Sequence, residues 1–152
     1  VTFSPSARAW VVHFFSQRFE DHSAFSFQGD GIDGPDDVLY RPTYLPAGYT
    51  QDRSQDDLPK DMAIYVNDQE QFLYFSYMAG NTAGTFAVDN EHSTEKLITI
   101  GKDCQAHLLE TISPDYPSFL IWMDEEKGAA FLIDGYVSPE ELIRVAESVQ
   151  AQ

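Results

Sequence analysis

The sequence predicts an α+β domain, a strongly curved antiparallel sheet of about six to eight strands flanked by an N-terminal and a C-terminal helix. Three observations carry that expectation. Apolar residues recur at helical spacing near the start of the chain, three pairs of apolar runs are joined by short polar turns in the middle, and a capping box opens an amphipathic stretch at the end.

At the start, Ser4-Pro5 offers an N-cap followed by proline at the first helical position, and Ala7, Trp10, Val11, Phe14, Phe15 and Phe19 then form a wide apolar stripe. A helix is expected over 5–21, packed into a core. Residues 24–27 read as a short extended piece. Gly29, Gly31, Gly34 and Pro35, interleaved with Asp30, Asp33, Asp36 and Asp37, then read as a loop and the best boundary in the chain. This divides the sequence into 1–39, a helix and acidic loop packed on the main domain, and 40–152, the main domain, the two forming a single structural unit.

Prolines 42 and 46 and Gly48 set extended and turn conformations from Tyr40 to Tyr49. Three hairpins follow: 62–66 with 71–78 across Asn67-Asp68-Gln69-Glu70, 97–100 with 105–111 across Gly101-Lys102-Asp103-Cys104, and 118–123 with 129–133 across a turn ending in Lys127-Gly128. Connections this short exclude parallel crossovers, so the order is antiparallel. Ser138-Pro139-Glu140-Glu141 closes the series. The Ser138 hydroxyl can take the amide of Glu141, the Glu141 carboxylate can reach back, and Pro139 has no amide to leave unpaired. Leu142, Val145, Ala146 and Val149 line one face of the helix expected from Pro139 to about Gln150.

With 43% hydrophobic and 14% aromatic residues, 152 residues suffice for one sizeable core. The net charge of -16, with no Lys/Arg cluster, repels phosphate backbones and anionic lipid headgroups, which argues against nucleic acid as a partner. A cationic peptide, a basic protein patch or a neutral ligand meets less resistance, although acidity also serves solubility. The lone cysteine, Cys104, excludes an internal disulfide. The chain begins at Val1 without a leader or an apolar run of about 18 residues, so any anchor or signal is expected upstream.

Candidate chemistry is sparse. No G-x-S-x-G elbow is present, and His13, His22, His92 and His107 show no metal-ligand spacing. Cys104 and His107 form a C-x-x-H pair, which reads more economically as a turn cysteine and a strand-face histidine than as half a zinc site. The Asp30, Asp33, Asp36 and Asp37 loop has the oxygen chemistry calcium favours but not the alternating spacing of a calcium loop, and a solvated loop is the simpler reading. No catalytic residue, metal or cofactor is expected. The strand 71–78 is apolar on both faces, with Phe72, Tyr74 and Met78 against Leu73, Phe75 and Tyr77, and 118–123 behaves alike. Such strands are covered on both sides by the terminal helices, or one face lines an aromatic groove. Phe72, Tyr74 and Trp122 are therefore the candidate binding residues, with Trp122 equally at home in a core.

The residues from Tyr40 to Val149 resemble the bacterial Domain-of-Unknown-Function family 4367. The likeness rests on Tyr44-Leu45-Pro46-Ala47-Gly48-Tyr49, Leu97-Ile98-Thr99-Ile100-Gly101, Leu120-Ile121-Trp122, and the ending from Ser138 to Val149. Its members look like extracytoplasmic portions of Gram-positive membrane proteins, some resembling anti-sigma factors. More distantly, the L-P-x-G-Y entry and the A-x-S-V ending at 146–149 are similar to the C-terminal domain of the periplasmic RseB/MucB regulators. The resemblance implies an extracytoplasmic, non-catalytic sensor or interaction domain, tethered by a segment upstream of Val1. Its partner would be a protein or peptide in the cell envelope, with membrane contact only through the anchor. The alternatives are a lipid or hydrophobic-ligand carrier and, third, a hydrolase. The family supplies no catalytic residues, so Gly48 and Gly101 read as turn glycines and Trp122 as core.

Overall fold

The computed structural model describes residues 12–18, 22–29, 38–54, 57–79 and 83–152. Twelve strands and one helix make up the described chain: β1 Val12–Arg18, β2 His22–Gly29, β3 Tyr40–Pro42, β4 Thr50–Gln51, β5 Met62–Val66, β6 Phe72–Ala79, β7 Ala83–Asp89, β8 Ser93–Ile100, β9 Cys104–Thr111, β10 Ser118–Asp124, β11 Ala129–Gly135, α1 Pro139–Glu147 and β12 Val149–Ala151.

The main sheet has seven strands in the order β4-β5-β6-β11-β10-β9-β8, antiparallel throughout. All three predicted hairpins are present, as β5–β6, β8–β9 and β10–β11. Each is set by its turn chemistry. In the first, the Asn67 carboxamide oxygen accepts from the Gln69 amide at 3.0 Å and the Gln71 amide at 2.9 Å, holding a turn in which Glu70 adopts a φ of 59°. In the second, Gly101 supplies a φ of 61°, which L side chains rarely adopt.

One face of this sheet is apolar because every second residue of its central strands is. Leu73, Phe75 and Tyr77 of β6, Phe131 and Ile133 of β11, Leu120 and Trp122 of β10, and Ala106 and Leu108 of β9 form the inner core with Leu142, Val145 and Ala146 of α1. The helix starts as predicted, with the Ser138 hydroxyl accepting from the Glu141 amide at 3.3 Å. The Glu141 carboxylate does not stay at the cap, however: it accepts from the Tyr44 hydroxyl at 2.7 Å, while the Arg144 guanidinium lies 4.2 Å above the Tyr44 ring centre. This joins the helix to the entry segment. Helix α1 ends three residues earlier than expected, and Val149–Ala151 pair instead with Tyr40–Pro42 as a two-stranded sheet.

The opposite, outer face is covered differently from the expectation. The N-terminal helix predicted over 5–21 is not seen: 12–18 form β1, while the rest of that span lies outside the described residues. The run Val-His-Phe-Phe has strand propensity as well as helical spacing, and seven consecutive pairings with β2 decide the matter. Strands β1, β2 and β7 form a separate three-stranded sheet. Phe25, Phe86 and Val88 from this small sheet pack on Leu109, Ile121 and Ala130 of the main sheet, making a second, smaller core. The main sheet does not curl. It has two free ends, β4 and β8, and needs no strong curvature because a separate layer covers each face. The acidic loop 30–37 lies outside the described residues.

Candidate functional site

A concavity of about 600 Å³ lies at one end of the main sheet, where the β8–β9 turn, the β10–β11 turn and the C-terminal end of α1 converge. Ile100, Trp122 and Phe131 belong to its lining and come from the inner core, with the indole stacked on the Phe131 ring at 5.1 Å between centres and 16° between planes. Charged residues make the rim. Lys102 and Asp103 come from one turn, Asp124, Glu125, Glu126 and Lys127 from the other, and Glu147 from the helix, five acids against two lysines.

Hydrogen bonds fix this rim. The Gly101 amide donates to the Glu147 carboxylate at 2.8 Å, tying the first turn to the helix. The Lys127 ammonium lies 2.8 Å from the Asp124 carboxylate, whose other oxygen accepts from the Lys127 amide at 3.2 Å, closing the second turn on itself. The Tyr40 hydroxyl donates to the Lys127 carbonyl at 3.3 Å; burial, then the nearby Asp124 charge, raises that hydroxyl's pKa.

Cys104 stands in the wall, its thiol donating to the Met123 carbonyl at 3.2 Å. Burial first and then Asp124 push its pKa up to about 11, which keeps the thiol protonated and a poor nucleophile at neutral pH. Cys104 and His107 are three residues apart on β9, so strand alternation sends them to opposite faces. Cys104 lies on the inner side, whereas His107 packs on Phe25 in the outer layer at 5.1 Å and sets Nδ1 3.8 Å from Glu95. The two side chains thus leave β9 on opposite faces, although both residues belong to the cavity lining, and among the described residues no three His, Cys, Asp or Glu side chains are grouped to hold a metal ion.

The three residues picked from sequence fall on two faces. Trp122, 3% exposed, is an inner-core residue that reaches the cavity. Phe72 and Tyr74 lie on the outer face of β6, stacked at 5.9 Å and 27°, with Tyr74 41% exposed. Sequence reasoning missed Asp134. It ended the third hairpin at Ile133, yet β11 runs to Gly135, and alternation from Leu132 puts Asp134 on the outer face. The signal was available: Asp134 stands two residues after a strand position and one before a glycine that pairs across the sheet.

A family model described as a domain of unknown function, DUF4367, matches residues 39–149. The chain belongs to this family. The matched span opens just before β3 and closes at the first residue of β12, so it takes in the whole main sheet, α1 and the cavity. The match carries the first likeness read from the sequence and not the more distant one to RseB/MucB. No curated protein matches the chain, and no solved structure does.

Proposed function

We propose that this DUF4367 domain is a non-catalytic sensor or interaction module of a membrane-anchored regulatory protein, working on the outer side of the cytoplasmic membrane. In this reading it receives a peptide segment of a protein partner in the sheet-end cavity. The observation that carries the reading is a concavity whose rim bears five acids and two lysines around a wall that includes Cys104 and Met123, with Trp122 and Phe131 buried beneath it. The wall supplies apolar contact area and the charged rim supplies orientation, the division of labour found in binding sites. The surplus of acids suits a segment bearing basic residues, as does the chain's net charge of -16. A lipid carrier would be better served by an enclosed apolar cavity than by a charged mouth, and a thiol held near a pKa of 11 speaks against nucleophilic chemistry at Cys104. The extracytoplasmic and regulatory parts of the proposal rest on the family resemblance.

A displayed peptide library, selected on the folded domain, tests the binding claim. Trp122 fluorescence in a Trp10→Phe background then measures affinity for the selected peptides. Basic peptides with an apolar anchor should bind saturably, and Glu125→Lys with Glu126→Lys should weaken them several-fold at low salt, the loss fading as salt screens the rim. Selection of no peptide, or affinities indifferent to the reversed charges, counts against the cavity. Protease accessibility of the domain in intact cells tests the compartment.

A further inference from the structure

The outer face of the main sheet carries a second feature, on the side away from α1. One cross-strand row runs Ile64, Tyr74, Asp134, Phe119, Leu109, Glu95 from β5 to β8. Asp134 is thus flanked directly by two aromatic residues, Tyr74 on β6 and Phe119 on β10, and directly opposed residues in such pairs hold their Cβ atoms about 5 Å apart. Phe72 stacks on Tyr74, extending the aromatic surface. Tyr74 is 41% exposed, while Phe72, Phe119 and Asp134 are half-buried and Phe119 packs against the second core, so the row opens to solvent at Tyr74 and closes toward Phe119.

Among the described residues no side chain bonds to the Asp134 carboxylate. None of the described ion pairs involves Asp134: Lys96 holds Glu110, Lys127 holds Asp124, Arg144 holds Glu141 and His107 lies 3.8 Å from Glu95 at the far end of the row, while Arg41 donates to the Tyr40 and Met62 carbonyls. A carboxylate withdrawn from water without a partner is costly, and it relieves that cost by taking a proton or a cation. Burial alone pushes its pKa up to about 7, the direction expected where the charged form is poorly solvated. A hard metal ion needs six or more oxygen ligands, which one carboxylate cannot supply. An organic cation needs one anion, hydrogen-bond acceptors and ring faces, and those are present.

We propose that Asp134, with Tyr74, Phe72 and Phe119 around it, receives the cationic head of an arginine or lysine side chain presented by a protein partner. This site is on the face opposite the inner core and does not depend on the sheet-end cavity. The bound guanidinium or ammonium donates to the carboxylate and lies against the exposed Tyr74 ring.

Titration with N-acetylarginine amide and N-acetyllysine amide at constant ionic strength and about pH 8, followed by carboxyl and aromatic NMR signals, tests the proposal. Saturable shifts are expected at Asp134, Tyr74 and Phe119, with the Asp134 titration midpoint moving to lower pH on saturation. Asp134→Asn should lose affinity at least about tenfold, in line with removal of a charge-assisted hydrogen bond. Tyr74→Ala, a change at a half-exposed position that the fold tolerates, should lose affinity several-fold and serves as the test if the Asn variant does not fold. Charge reversal at Glu125 and Glu126 should change nothing here. Shifts that fail to saturate, that sodium chloride reproduces, or that persist unchanged in both variants overturn the proposal.

Discussion

Replacing Asp134 by asparagine isolates one term in the stability of this fold. In the unfolded chain the carboxyl titrates at its ordinary value of 3.8, and in the folded chain burial raises it to about 7. Protons therefore leave the unfolded state first as pH rises. Below pH 3.8 the group costs nothing; between there and pH 7 the folded state loses ground steadily; above pH 7 the full cost applies. At about 1.4 kcal/mol per pH unit the full cost is about 4 kcal/mol, of which about 3 kcal/mol develops between roughly pH 5 and pH 8. The asparagine side chain cannot ionise, so this slope disappears in the variant, although its buried amide carries a constant cost of its own. Urea unfolding of both proteins by tryptophan fluorescence at the two pH values measures the effect. The variant should gain about 3 kcal/mol on the wild type between the two conditions. A difference between the proteins that stays constant with pH would show that the Asp134 carboxylate is well solvated, and the reasoning about its environment would fail with it.

Three further outcomes follow from the geometry. Gly135→Ala should destabilise by about 1–3 kcal/mol in urea unfolding, because the new Cβ would stand 2.7 Å from the Leu73 Cδ1 and 3.3 Å from the Phe72 carbonyl oxygen, and the backbone atom has nowhere to go. Ser138→Ala removes the acceptor for the Glu141 amide and should cost about 1 kcal/mol, lowering the melting temperature by about 2–4 °C in calorimetry. Cys104 should resist iodoacetamide at about neutral pH in the folded protein and react promptly in urea, because unfolding restores an ordinary thiol; equal rates in both states would contradict the buried, protonated thiol.

The strands that the sequence announced most clearly were those whose turns carry their own chemistry: Asn67 to Glu70, Gly101 and Lys127-Gly128 each bend the chain locally, so the hairpins they join were legible without knowing the fold. The same holds for α1, fixed at its start by Ser138 and Pro139. The stretch around Val12–Arg18 was misread because its aromatic run satisfies two periodicities, and the choice between them was made by β2, a partner no local window contains. For a like reason β7 went unpredicted: Ala83–Asp89 has few large apolar residues and is a strand chiefly through its seven pairings with β2. Of the candidate site, the aromatic members were visible as residues but not as neighbours. Only the register shows that Trp122 lies across the sheet from Phe72 and Tyr74, and that an aspartate beyond the apparent strand end joins the latter pair.

The clasp between β3 and β12 sets how the domain answers to tension. Tyr40 faces Ala151 and Pro42 faces Val149, so the pair is antiparallel, with its outermost rung at the start of β3 and the end of β12. A pull applied at Tyr40 and Ala151 loads the rungs one after another instead of all together. The three-residue clasp would part like a zipper at small force and hand the load to the anchorage of Thr43 on Ser148, whose hydroxyl and carbonyl oxygens both accept bonds from that threonine. Beyond that point the helix itself, and the cavity rim held by Glu147, would begin to shift.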